Sequence, residues 1–212
     1  MSKRAFILSV FILIACGDRD KTSNQTTRIE AYKPNSVALK LNNKASGLIG
    51  DAGHTYDSLK NQLYDSAIIY LDKAIEIDSL YVLAYINKAQ ALQRKGSFEK
   101  AIGVLSRVQR IKPDFPEILI SQGFLLEKIG KIVSAEQQYN KALKAYEERL
   151  KSNPKDEKTK SDIAFLYVFL KDKNAALDEI RNYLLENPES AQLKTTERYI
   201  NALDRKTFIN EY

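Results

Sequence analysis

An alanine recurs at Ala67, Ala101 and Ala135, 34 residues apart each time, and its neighbourhood recurs with it. The first copy reads Tyr64-Asp65-Ser66-Ala67, followed by Leu71 and Ala74. The second reads Phe98-Glu99-Lys100-Ala101, followed by Leu105 and Val108, and the third reads Ile132-Val133-Ser134-Ala135, followed by Tyr139 and Ala142. A fixed period of this size marks a solenoid, in which each unit buries its apolar stripe against its neighbours rather than in one central core. Within a copy the apolar residues fall three and four apart, which puts them on one face of a helix. The period therefore predicts an all-α chain built from stacked helices.

The second copy shows how a unit is put together. Tyr85, Ala89 and Leu92 share one helical face; Gly96 breaks it; Phe98, Ala101, Leu105 and Val108 form a second stripe; Pro113 ends the unit. Small residues at 89 and 101 suit the closest approach of two antiparallel helices. Gly96 suits the tight turn between them, and a proline suits the break before the next helix. The third copy repeats this with Leu119, Gln122-Gly123, Leu126, Gly130, Ile132, Ala135, Tyr139 and Ala142. A fourth reads Ile163-Ala164, Tyr167, Asn174, Ala176, Ile180, Tyr183 and Pro188, at an interval of 41 residues from Ala135 to Ala176. The unbroken run from Ser134 to Lys151 predicts a helix that overshoots the usual unit and accounts for part of the extra length. In the first copy, His54-Thr55 and Ser58 stand where the other copies have an apolar and a small residue.

These residues resemble the tetratricopeptide repeat family. The resemblance implies a right-handed superhelical solenoid of antiparallel helix pairs, about four repeats over residues 46–188, with residues 189–212 as one terminal helix capping the stack. It also implies a concave face lined by the first helix of each pair. Mapped here, that face holds Tyr56 and Lys60; Leu83, Asn87, Gln90 and Arg94; Glu117, Ser121, Phe124 and Lys128; then Asp162, Phe165 and Phe169. Amides there suit peptide backbone, and apolar or aromatic side chains suit a partner's side chains. Packing between neighbouring helices is the alternative role for Phe124, Phe165 and Phe169. One family subtype grips a C-terminal carboxylate with lysines and asparagines. Asn87 matches one such place, but Glu117 and Ser121 stand where basic residues are expected, which argues against that mode.

The amino-terminal segment adds an address. Lys3 and Arg4 precede an apolar run from Ala5 to Ile14, too short for a comfortable membrane span and fitted to a secretory signal. Its end, Leu13-Ile14-Ala15-Cys16, resembles the lipobox of bacterial lipoproteins, and Cys16 is the chain's one cysteine. The resemblance implies cleavage before Cys16 and lipid on it; several acyl chains together anchor stably where one is marginal. Gly17 follows, rather than the aspartate that favours inner-membrane retention, so the outer membrane is expected, with the periplasmic or surface face left open by Asp18 and Asp20. Residues 17–45 are polar and read as a tether, with a first helix starting near Ser36.

Nothing in the sequence points to catalysis. His54 is the one histidine, so a zinc site would need several carboxylates, and the glycines at 47, 50 and 53 lack the lysine and Ser/Thr of a phosphate loop. Pairs such as Glu147-Glu148 point in different directions on a helix. The net charge of +6 arises from 33 basic and 27 acidic residues without a long basic run, which gives no support to nucleic-acid binding. The expected protein is thus not an enzyme and has no cofactor: it is a membrane-anchored envelope module that binds a peptide or helix of another envelope protein. Two further roles stay open: an assembly factor of an outer-membrane or secretion complex, and a glycan- or nutrient-binding accessory lipoprotein. The chain has no tryptophan to offer a sugar as a stacking platform.

Overall fold

A computed structural model describes residues 32–212. The signal segment, Cys16 and most of the polar tether lie outside the described residues. Those described form ten α-helices without a strand: α1 (Ser36–Ala52), α2 (Asp57–Ile77), α3 (Val82–Arg94), α4 (Phe98–Ile111), α5 (Pro116–Lys128), α6 (Ile132–Ser152), α7 (Glu157–Leu170), α8 (Lys173–Glu186), α9 (Ala191–Ala202) and α10 (Arg205–Glu211). From α1 to α9 each helix packs on the next, α1 also meets α3 as α7 meets α9, and α10 packs on α5. This is the stack of antiparallel pairs that the period demands.

The recurring alanines sit at the seams. Ala67, Ala101 and Ala176 are wholly buried and Ala135 almost so. On α4 the buried residues are Ala101, Leu105 and Val108, and on α6 they are Ala135, Tyr139, Ala142 and Tyr146. Two glycines turn the chain between paired helices. Gly96 and Gly130 have φ of 74° and 78°, a left-handed conformation that costs a side chain strain. Ser97 N–H donates to Leu92 C=O and Lys131 N–H to Leu126 C=O, so carbonyls left open at each helix end find partners. Gly123 serves a different purpose. A Cβ there would lie 2.1 Å from a ring carbon of Tyr139, so α5 and α6 touch only because position 123 has no side chain.

The structure revises several boundaries. α6 has 21 residues where α4 has 14, and that difference of seven is the whole of the longer interval, not a part of it. The turn between α7 and α8 uses Asp172, whose side chain accepts from Ala175 N–H at 2.8 Å, so no left-handed glycine is needed; Asn174 lies inside α8. The first pair is α1 with α2, turning at residues 53–56. α1 starts at Ser36, where the sequence predicts a first helix, and so takes residues 36–45 from the tether; Asn35 caps it and Ala38, Asn42 and Ala45 are buried. Finally, residues 189–212 are two helices. Leu203 turns inward, and Asp204 starts a new helix by accepting from Thr207 N–H at 2.7 Å.

Candidate functional site

The residues expected on the first-helix face separate into three groups. Tyr56 and Lys60 do not belong to it: Tyr56 is the exposed residue before α2, and Lys60 lies in the first turn of α2, a second helix. The sequence has no breaker near residue 63, so α2 runs back two turns further than its counterpart α4. Leu83 is exposed at the start of α3. Asn87 is turned toward α1, where its amide donates to Asn42 Oδ1 at 2.8 Å, and Gln90 is half-buried one turn later.

Glu117 and Asp162 belong to a charged cluster at the amino-terminal ends of α5 and α7. Glu117 Oε1 accepts from Arg149 at 3.2 Å and from Lys158 at 3.3 Å, and Lys158 also donates to Asp162 at 2.7 Å. Burial pushes the Asp162 carboxyl up to about 6 against the pull of Lys158, and it raises the buried Tyr146 phenol, which also meets Asp162. Glu117 is buried, which removes it from the residues open to a ligand. Its role is to fix α5 against α6 and α7, since removing one partner of a buried pair strands the other. Arg149 and Lys158 were not legible as its partners, because both are set by the longer α6.

The third group is gathered around α10. Arg94 of α3, Ser121, Phe124 and Lys128 of α5, and Phe165 and Phe169 of α7 come together on one surface, and α10 lies against it. Phe124 is the centre: Phe208 and Tyr212 meet it edge-on with centroids at 5.0 and 4.9 Å, and Phe169 stands 4.7 Å away. Phe208 also reaches Phe165 at 5.9 Å and Phe169 at 5.5 Å. Tilted and edge-on rings at these separations add to the stabilisation from burial alone. Phe124 and Phe169 are therefore the floor of an occupied site rather than exposed platforms.

Polar contacts hold the ends of α10. Arg205 pairs with Glu127 Oε1 at 2.9 Å, and Tyr139 donates to the other oxygen of Glu127 at 3.0 Å. Because Tyr139 is clamped in the seam over Gly123, Glu127 is presented at a fixed position. At the other end, the Lys128 ammonium donates to the carbonyls of Asn210 at 2.9 Å and Ile209 at 3.3 Å, and the Gln93 amide donates to the carbonyl of Tyr212. Burial and the neighbouring Arg94 both lower the Lys128 pKa. Burial pushes the Tyr212 phenol up to about 12, countered by a hydrogen bond with Ser121 and by Arg94. Gln93, Glu127, Arg205, Phe208 and Tyr212 were missed from sequence. The available signal was Asp204 three residues before Thr207, a helix start inside what read as a continuous helix.

The remaining chemistry is sparse. His54 is exposed in the α1–α2 turn. Among the described residues no cluster of three histidine, cysteine or acidic side chains is arranged to hold a metal, and no helix is long and apolar enough to cross a membrane. A surface cleft of about 720 Å³ opens between α2, α3 and α4, edged by Lys88, Lys100 and Arg107.

Residues 49–79 and 82–115 match the tetratricopeptide repeat family model. Over these two segments the chain is similar to tetratricopeptide repeats. The pairs α5–α6 and α7–α8 continue their register through Ala135 and Ala176. The fold is similar to that of a tetratricopeptide repeat protein from Parabacteroides merdae, at 18% identity over 75% of this chain and 59% of that one, with a TM-score of 0.45. It is also similar to a thermophilic repeat protein of Thermus thermophilus, at 21% identity over 78% of this chain and 86% of that one, TM-score 0.47. The tetratricopeptide repeat domain of Sgt2 from Aspergillus fumigatus is similar at 17% identity over 66% of this chain and 83% of that one, TM-score 0.47. The repeat assignment rests on the family match and the internal 34-residue register, not on these overlays. No curated protein matches the chain in sequence.

Proposed function

We propose that the chain is an interaction module of a bacterial cell envelope, lipid-anchored through Cys16, that holds a peptide segment or short helix of a partner protein on its first-helix face. One observation carries the binding part of this reading. Three separate repeats contribute to a single surface that grips a short helix by its rings, by an ion pair and by main-chain carbonyls. Hydrogen bonds to main chain give affinity, while pockets for spaced side chains give selectivity. The anchoring part rests on Leu13-Ile14-Ala15-Cys16 and the apolar run before it. Holding the module at a membrane raises its effective concentration toward partners in the same layer. The outer membrane is the favoured layer because Gly17, not an aspartate, follows the cysteine.

Two measurements test this. Metabolic labelling with a fatty-acid analogue is expected to mark the wild-type chain and to be lost in Cys16→Ala; equal labelling of both removes the anchor. Crosslinking in intact envelopes, with a photoreactive residue at position 121 or 90, is expected to yield a discrete protein adduct. Adducts to lipid or glycan alone would contradict a protein partner.

A further inference from the structure

We infer that residues 204–212 are a stand-in for the partner segment, and that the site selects a short helix with a basic residue followed by aromatics three and seven positions later. This rests on the module reading above and specifies its ligand. In the chain the three positions are Arg205, Phe208 and Tyr212. On a helix they form one stripe, since they are separated by three and four residues. Each meets a different reader. Arg205 meets the Glu127 carboxylate at 2.9 Å and the Phe169 face at 5.7 Å. Phe208 enters between Phe124, Phe165 and Phe169. Tyr212 covers the far edge of Phe124, within reach of Ser121 and Arg94.

The remaining contacts make no demand on side chains. Lys128 and Gln93 donate to the carbonyls of residues 209, 210 and 212, groups that any helix leaves open in its last turn. Cations at that end also suit the negative pole of a helix. The site therefore recognises a helix end by its backbone and a helix face by three side chains.

Two features make the occupant exchangeable. α10 has seven residues, too few to be a stable helix by itself, so it is ordered by the surface it lies on. It is also joined to the stack through the extended residues Leu203 and Asp204. Undocking would uncover Phe124, Phe165 and Phe169 together, an apolar patch of the kind that marks a docking site.

The test uses a fluorescein-labelled peptide of residues 203–212 and the full chain held in detergent. Anisotropy is expected to show binding to Phe208→Ala/Tyr212→Ala at least tenfold tighter than to wild type, because the mutant's own segment no longer competes. Arg205→Ala, which removes the Glu127 pair and the contact with the Phe169 face but leaves both aromatic anchors, is expected to give a smaller gain and serves if the double variant loses helicity. A peptide with alanine in place of Phe208 is expected not to bind either protein. Equal affinity for wild type and both variants, or no binding to folded variants, would make residues 204–212 a permanent cap and overturn the inference. A concentration-dependent dimer of the wild-type chain that the peptide dissolves would assign the site to exchange between copies and would also overturn it. Crosslinking from positions 90 and 121 uses no peptide, so the module reading stands or falls separately.

Discussion

Helices α9 and α10 are separated by two residues, Leu203 and Asp204, yet the surfaces they bury differ in kind. α9 packs on α7 and α8, its immediate predecessors. Leu193 and Ile200 are wholly buried there, and Ser190 caps the helix while donating to Glu157 at 2.6 Å. That is how one unit of a solenoid closes the unit before it. α10 leaves this order and returns to α5, more than 70 residues earlier, through Arg205 and Glu127 at a sequence separation of 78. Its contacts fall on several repeats at once, and several run from side chain to main chain. The first helix continues the stack, and the second is held by it. The difference teaches that a terminal segment of a repeat protein can meet the stack in the manner of a ligand.

Substitutions in the stack should do most damage. Leu193→Ala is expected to cost about 2–5 kcal/mol in a urea melt, since a fully buried leucine leaves a cavity in the closing unit. Gly123→Ala is expected to cost ~1–3 kcal/mol by the same melt, because the added methyl meets a Tyr139 ring that is clamped by Glu127 and cannot simply turn away. Phe208→Ala sharpens the contrast. Although Phe208 is buried, its loss is expected to shift the main transition by less than about 1.5 kcal/mol, because only the docking of α10 is removed. A loss as large as that of Leu193→Ala would place α10 inside the cooperative stack.

The smallest effect concerns the charged end of the same face. Asp162 is pushed up to about 6 in the folded chain, with Lys158, Glu117, Arg149 and Tyr146 facing it. The folded state then holds a proton that the unfolded state has released between about pH 4 and pH 6, so stability falls as pH rises through that window. Asp162→Asn is expected to flatten the fall, read from urea midpoints across pH 4 to 7. An unchanged slope would show that another group titrates there.

Local rules made much of this molecule legible. The alanines at 67, 101, 135 and 176 have to be small because helices touch there, and Gly96 and Gly130 have to be glycine because φ is positive. Such constraints repeat with the unit and so appear in the sequence. The first pair was read wrongly in its first half, since Tyr56 and Lys60 follow a turn at residues 53–56 that the later units do not share. The return of α10 was not legible either. Its partners, Gln93, Glu127 and Lys128, are ordinary polar residues in their own repeats, and only a long-range contact gives them a common purpose. Phe124, Phe165 and Phe169 were picked out as candidate ligand contacts, and the structure shows what they touch: one another, and the aromatic stripe of α10.

Native-state hydrogen exchange of the full chain in increasing urea tests the distinction between the two helices most directly. Amides of α10 are expected to exchange through local opening, at rates nearly independent of urea, while those of α9 follow the unfolding of the stack and accelerate steeply. The same steep urea dependence in both helices would contradict the account, because it would make residues 204–212 an integral part of the solenoid.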